Sequence, residues 1–341
     1  MHISVLADVH LANHARCGGP LVGGINRRAR HILDVLRTAV DGAPAGRLFV
    51  LGDLFDTAKP EPVLLAEVQE IFSSRRDLEI CLLVGNHDAS STGANHNALS
   101  PLKPVARVVE TVTYIAGDTD VLLIPYHGNV LAEIEQWLGQ TKRHVLVFAH
   151  CGVKDLLTPF FLQDDKKAVD VAALRDLQVK FPHFVGFAAG DWHTRATWYR
   201  DGGGCDILQV GALVPTGWDN PGRCGFGTRA VWSRSGWCIT ELSGPRFVDS
   251  FEDAELAAVP YLRLRAQASE VEAFRARCGA MARLEDCVIE VVKTEPESVA
   301  VRSLASALTI REALRAYVQK MPAHVRKDTV LAKVESYLGG V

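Results

Sequence analysis

Ile3-Ser4-Val5-Leu6-Ala7 runs directly into Asp8-Val9-His10, so an apolar, β-branched stretch stops at a carboxylate and an imidazole two residues apart. A run of about four to eight apolar residues bounded by turn formers reads as a buried strand. The same arrangement recurs four times. Residues 48–51 lead into Gly52-Asp53-Leu54-Phe55-Asp56, and residues 80–84 into Gly85-Asn86-His87-Asp88. Residues 145–149 lead into His150, and residues 184–189 into Gly190-Asp191-Trp192-His193. Five strand ends thus carry metal-ligating side chains toward one crevice, the place where open α/β sheets bind ligands.

Between and after these runs the apolar residues change period. Residues 27–40, 62–72, 130–138 and 169–177 repeat at helical spacing, whereas 206–210, 229–233 and 237–242 read as further strands. The expected fold is α/β, a four-layer α-β-β-α sandwich of two mixed sheets with helices outside. Ser243-Gly244-Pro245 is a breaker and closes a first domain over residues 1–245. Residues 246–298 read as a small β-α-β cap, with strands at 261–266 and 287–293 around a helix at 269–283. Residues 299–341 read as a C-terminal helical segment, opened by the capping-box pattern Thr309-Ile310-Arg311-Glu312. Its stripe is Ile310, Leu314, Tyr317, Val318 and Met321.

The chain has 341 residues, 48% hydrophobic and 23% charged, ordinary for a globular enzyme. No apolar stretch nears the roughly 18 residues of a membrane span. The first strand begins at His2, so no signal peptide is expected and the reading is cytoplasmic, without a membrane. The eight cysteines show no C-x-x-C spacing and read as reduced thiols. Cys151, beside His150, is a small hydrophobe or a reactive thiol. A net charge of −3 leaves no basic footprint. A nucleic-acid role survives this, because bound cations invert the local potential. Arg27-Arg28-Ala29-Arg30 is a solvated helix face or a phosphate contact. His14, His96 and His127 read as loop or surface residues, with His96 close enough to the third block to meet substrate.

The five blocks together suit two divalent metal ions. Nitrogen and oxygen ligands without thiolate favour Mn²⁺, with Mg²⁺, Fe²⁺ or Zn²⁺ as alternatives. Asp8, His10, Asp53 and His193 are assigned to one ion. Asp53, Asn86, His150 and Asp191 are assigned to the other, with the two oxygens of Asp53 bridging ions about 3.5–4 Å apart. His87 is expected to point away from the metals and protonate a leaving oxygen, and Asp88 to hold His87 in place. A lone His150 would ordinarily be a structural histidine, and Gly-Asp or Gly-Asn-His-Asp alone could be turn chemistry. Five blocks in order make that explanation improbable.

These blocks resemble the signature of the calcineurin-like metallophosphoesterase superfamily: D-x-H, G-D-x-x-D, G-N-H-[DE], H and G-H-x-H, over about residues 3–195. The resemblance implies the metallophosphoesterase fold and phosphoester hydrolysis with two metals. Within the superfamily the chain is most similar to DNA-repair exonucleases of the SbcD type and their phage recombination relatives. Ile124-Pro125-Tyr126, Gly211-Ala212-Leu213-Val214-Pro215-Thr216, the small cap and the helical tail carry that finer likeness. It implies DNA as substrate, a homodimer, and an SMC-like ATPase partner docked on the C-terminal helices; packing against the cap would equally explain the stripe at 310–321. Other readings are a phosphodiesterase or phosphatase on small nucleotides or phosphoesters, and a non-catalytic scaffold. One position departs from the pattern: Asp191 stands where the family has histidine, and it either ligates through oxygen or turns away.

Overall fold

The computed structural model describes residues 2–89, 97–126, 129–158, 160–163, 165–200, 203–218, 226–233, 235–257, 259–281 and 284–292. The expected tail helices, His96 and His127 lie outside the described residues. The first part of the chain forms β1 (His2–Leu6), α1 (Arg27–Asp41), β2 (Gly46–Val50), α2 (Pro62–Ser73), β3 (Leu78–Leu83), β4 (Arg107–Val109) and β5 (Thr113–Ile115). Next come β6 (Asp120–Ile124), α3 (Val130–Leu138), β7 (Val145–His150), β8 (Val153–Lys154), α4 (Phe160–Gln163), β9 (Val169–Asp170) and α5 (Val171–Lys180). β10 (Phe184–Gly190), β11 (Ala196–Tyr199), β12 (Cys205–Gln209), β13 (Phe226–Ser233) and β14 (Gly236–Ser243) follow. The last described elements are β15 (Pro245–Val248), α6 (Phe251–Leu256), β16 (Val259–Ala266), α7 (Val271–Ala280) and β17 (Asp286–Val291).

Two six-stranded sheets make the centre, in the orders β14-β13-β1-β2-β3-β4 and β11-β12-β10-β7-β6-β5. In the first, β1 to β4 run parallel and β13 and β14 close one side antiparallel. In the second, β12, β10, β7 and β6 are parallel, and the edge strands β11 and β5 are antiparallel. Strand side chains alternate between faces, and the buried residues follow that alternation. Leu48 and Val50 of β2 join Ile32, Leu36, Leu64 and Val68 under the two helices of that side. Phe49 and Leu51 instead join Phe148, Leu146 and Ala188 between the sheets. Val147 and Phe187 pack outward with Ile134 and Leu174 of α3 and α5. Three apolar layers therefore separate four layers of backbone, the α-β-β-α sandwich. Phe49 meets Phe148 edge-on at 4.8 Å, a geometry worth about 0.5–1.5 kcal/mol beyond area burial.

Two compact units are distinguished: residues 1–265 with 272–290, and residues 266–271 with 291–341. In the first, β15 pairs parallel with β16. Fully buried Tyr261 of β16 packs among Cys17, Trp218, Phe247 and Val288. Its hydroxyl lies 2.7 Å from Nδ1 of His31 on α1. The second unit is described only at 266–271 and 291–292.

Local chemistry moves one helix boundary. The helix expected from residue 169 starts at Val171, because Val169 is drawn into a ladder with Val153. Asp170 then caps the helix by accepting from the Ala172 amide at 2.8 Å. The strands β4, β5, β11 and β15 are short and pair at sheet edges, where no continuous apolar run is needed.

Candidate metal centre

The pairing of β1 with β2 continues beyond both strands. Asp8 N donates to Gly52 O (3.2 Å), His10 N to Asp53 O (3.0 Å) and Leu11 N to Leu54 O (3.0 Å). The second sheet meets this loop from the other side: Cys151 N donates to Gly190 O at 3.0 Å, and Asp191 N donates to both carboxylate oxygens of Asp8, at 2.9 and 3.0 Å. Strand ends from two sheets are thereby tied into one crevice.

Among the described residues five non-glycines have positive φ, and four of them lie here: Asp8 (49°), His10 (48°), Asp53 (49°) and Asp191 (96°). Such a conformation costs about 1–3 kcal/mol each and persists where surrounding structure imposes it. Gly52 has φ 94°, and a Cβ there would stand 2.1 Å from Nδ1 of His150. A Cβ on Gly85 would stand 2.1 Å from Oδ1 of Asp53. Both glycines are demanded by how closely the ligand loops approach.

All seven expected ligands converge. Nε2 of His10 lies 2.9 Å from Nε2 of His193, and Nε2 of His150 lies 2.9 Å from Oδ1 of Asn86. Oδ2 of Asp53 stands 3.8 Å from His10 Nε2 and 3.5 Å from His150 Nε2, so one oxygen faces both groups. Ligand atoms of Asp8, His10 and His193 lie within 4.8 Å of one another, as do those of Asp8, Asp53 and His150. Asp191 does not turn away: its Oδ1 is 3.7 Å from Nε2 of His150.

Each imidazole is set by its other nitrogen. Nδ1 of His10 is 2.9 Å from Oδ1 of Asp56, Nδ1 of His150 is 2.7 Å from the Leu51 carbonyl, and Nδ1 of His193 is 3.2 Å from Thr216 Oγ1. An Nδ1–H given to such a partner leaves the Nε2 lone pair pointing inward, the usual arrangement behind metal-bound histidine. Two inward lone pairs 2.9 Å apart, as on His10 and His193, need a proton or cation to share them.

Buried charge tells the same story. Desolvation pushes the Asp8 carboxyl up to about 7, against the pull of His150 and His10. Burial disfavours a charged His150, yet hydrogen bonding to Asp53 and the charges of Asp53, Asp8 and Asp191 win and raise it to about 10. Desolvation, helped by His10, lowers His193 to about 4. A pocket of clustered carboxylates that draws protons this strongly is chemically suited to a cation, whose binding would displace them. The residues present therefore fit a divalent pair held by nitrogen and oxygen. Cys151 adds no thiolate, since complete burial pushes its thiol up.

Two expectations change. Asp88 does not hold His87: its fully buried carboxylate accepts from the amides of Phe55 (3.0 Å) and Gly85 (3.1 Å), clamping two ligand loops together. Nor does His87 stand apart from the ligands. Its ring packs edge-on to His10 at 4.8 Å, its amide donates to Asp53 Oδ1 at 2.9 Å, and a ring nitrogen lies within 4.8 Å of ligand atoms on His10 and Asp53. What holds its ring is the Asp56 carbonyl, 3.1 Å from Nδ1. The side chain is 43% exposed, on the open side of the cluster. Asp56, which orients His10 through its side chain and His87 through its backbone, was not singled out as a site residue. It was visible as the last residue of the second block. His14 lies near it too, with Nδ1 3.8 Å from Asp56 Oδ2.

The calcineurin-like phosphoesterase family model matches residues 1–200, well over half of the chain and all five ligand blocks. Among curated proteins none matches the chain in sequence. Similar solved structures include a putative 5′-nucleotidase from Staphylococcus aureus (15% identity, TM-score 0.40, covering 75% of this chain and 57% of that one). A purple acid phosphatase from yellow lupin, Lupinus luteus, has 12% identity and a TM-score of 0.40, covering 68% of this chain and 49% of that one. The nuclease MPE of Pseudomonas putida has 21% identity and a TM-score of 0.26, covering 42% and 59%. The chain thus spans about half to three fifths of the length of these structures. No helix among the described residues is long and apolar enough to cross a membrane. The motif blocks, their convergence and the family match lead to one assignment: this chain belongs to the calcineurin-like phosphoesterase family of metal-dependent phosphoester hydrolases.

Proposed function

We infer that the chain is a two-metal phosphodiesterase acting on DNA, an exonuclease or endonuclease of repair or recombination. The observation that carries the hydrolytic reading is Asp53 Oδ2, shared between the His10 and His150 sides of the cluster. Asp8, His10, Asp53 and His193 would hold one ion, and Asp53, Asn86, His150 and Asp191 the other, with Mn²⁺ favoured by the oxygen-rich second set. When bound, such ions supply a lowered pKa for the attacking water and neutralise charge on the phosphoryl oxygens.

The chain's own residues do the rest. His87 gives its Nδ1–H to the Asp56 carbonyl, so Nε2 is the nitrogen left for the leaving oxygen, and it would deliver a proton there from the imidazolium form. Asp56 and Asp88 are positioning residues, acting through His10 and through the loops of Phe55 and Gly85. Support for DNA as substrate comes from Ile124-Pro125-Tyr126 at the end of β6, from residues 211–216 and from His87 on the open side of the site. The homodimer and the SMC-like ATPase partner are proposed from the resemblance to the SbcD-type nucleases, with the apolar stripe at 310–321 as the place where the partner's coiled coil would dock. Loss of ATPase co-purification on placing Glu at Leu314 and Val318 would support that docking; full retention would contradict it.

A second reading, hydrolysis of small nucleotides, is favoured by a cleft of small-molecule size that Asp191 and His193 line. Purified protein with Mn²⁺, offered labelled linear duplex DNA and a bis-aryl phosphodiester, separates the two. Cutting of the duplex supports the nuclease; cutting of the small ester alone rejects it.

A further inference from the structure

In the ligand loop after β10, Asp191 and His193 reach into the metal cluster, and together with Trp192 between them they also line a cleft of about 830 Å³. That lies within the range of about 300–1,000 Å³ usual for small-ligand sites. Its other walls include Trp198, Leu157, Leu162 and Thr197, so most of what it offers a ligand is apolar or aromatic.

Both indoles are held in place before any ligand arrives. Trp192 is pressed against the chain at Gly152, where a Cβ would stand 2.2 Å from the indole. The Trp192 carbonyl accepts from the Gln209 side chain at 3.2 Å. That amide is 1% exposed, and its oxygen accepts from Val153 N at 2.9 Å. Trp198 Nε1 donates to Asp155 Oδ2 at 2.8 Å. The other Asp155 oxygen accepts from Leu157 N at 2.8 Å and Thr158 Oγ1 at 3.3 Å, so the 155–158 turn is pinned to the same ring. These polar groups are thus engaged with one another, and Trp192, Trp198, Leu157 and Leu162 form an apolar wall, while Arg16, Thr194 and Thr216 add polar lining elsewhere in the cleft.

Such a wall recognises a planar, weakly hydrated group rather than a sugar or a phosphate. Stacking on aromatic side chains is tolerant of base identity because every base has a π-face. We propose that this cleft is a nucleobase subsite, seating the base of the nucleotide whose phosphate lies at Asp191 and His193. The inference rests on the phosphoesterase reading of the cluster and adds where and how the base of a nucleotide substrate is held. It makes the preferred substrate a phosphoester of a nucleoside, with the base as the handle. A sugar phosphate or a simple alkyl ester lacks that handle.

The test is calorimetric titration of the metal-loaded full chain with a non-hydrolysable adenosine methylenephosphonate and with its ribose counterpart lacking the base. The base-bearing ligand is expected to bind about tenfold or more tightly than the other. Trp198→Ala and Leu157→Glu should each cut that preference to about threefold or less without changing affinity for the base-free ligand. Leu157 is 90% exposed, so its variant folds even if removal of Trp198 does not. Equal affinity for both ligands in the wild type, or a preference that survives Leu157→Glu, overturns the subsite. Turnover of an aryl phosphodiester is followed in parallel. Turnover without base preference removes the subsite alone, and base preference without turnover removes the phosphodiesterase reading alone.

Discussion

The Asp56 carboxylate accepts a hydrogen bond from His10 Nδ1 at 2.9 Å, which fixes the face that His10 turns to His193 and Asp53. Asp56 is not a ligand in the proposed scheme, yet it decides the tautomer of one. Asp56→Ala should weaken metal binding by about 10–100-fold, the usual cost of losing such a partner. Asp56→Asn, which keeps an acceptor oxygen, should recover part of the loss. Metal titration calorimetry reads both, and unchanged affinity in the alanine variant would remove Asp56 from the account.

Gly52 sits at φ 94° with no room for a methyl group beside His150. Gly52→Ala is expected to cost at least about 1–3 kcal/mol from backbone strain and to displace the His150 ring. Thermal unfolding and metal content should fall together. A variant with wild-type Tm and a full metal complement would show that the loop has slack the geometry does not suggest.

His87→Ala should leave metal content near wild type and reduce turnover of an alkyl-leaving-group ester by about 10²–10⁴-fold. With 4-nitrophenolate as leaving group the loss should be much smaller, because that oxygen leaves without a proton. Equal losses on both esters would recast His87 as a structural or ligating residue.

Removing the metals exposes the cluster's charge balance to pH. His150 has a folded value near 10, above its ordinary 6.5, so the folded state holds a proton that the unfolded chain gives up between those values. Its stabilisation is fully present below about 6.5 and is lost as pH rises toward 10. Chelated protein should therefore lose Tm between pH 7 and 9. Metal-loaded protein should change less over that range, since its imidazole is held neutral. A flat profile for the chelated protein would contradict the proposed charge balance.

Much of this arrangement was written in the order of residues. Five of the parallel strands, β1, β2, β3, β7 and β10, announce themselves as apolar runs, and these runs stop where Asp8, Asp53, Asn86, His150 or Asp191 begins. The further strand runs at 206–210, 229–233 and 237–242 suggested a second sheet, and they fall in both sheets as β12, β13 and β14. Other features had no such mark. Asp88 follows His87 in sequence, but its side chain faces back to the amides of Phe55 and Gly85, and adjacency along a chain says nothing about that. The left-handed turns at Asp8, His10 and Asp53 are imposed by packing between the sheets, not by glycine, so composition does not betray them. The cleft beside Asp191 is assembled from 155–158, 192 and 198, segments whose proximity exists only in the folded chain.

The shared position of Asp53 is the point on which the two-metal account turns, and counting metals tests it most directly. Elemental analysis of wild-type protein reconstituted with Mn²⁺ should find two ions per chain, and Asp53→Ala should find both sites emptied. Two ions retained in the variant would contradict the account, because no single oxygen could then be serving both.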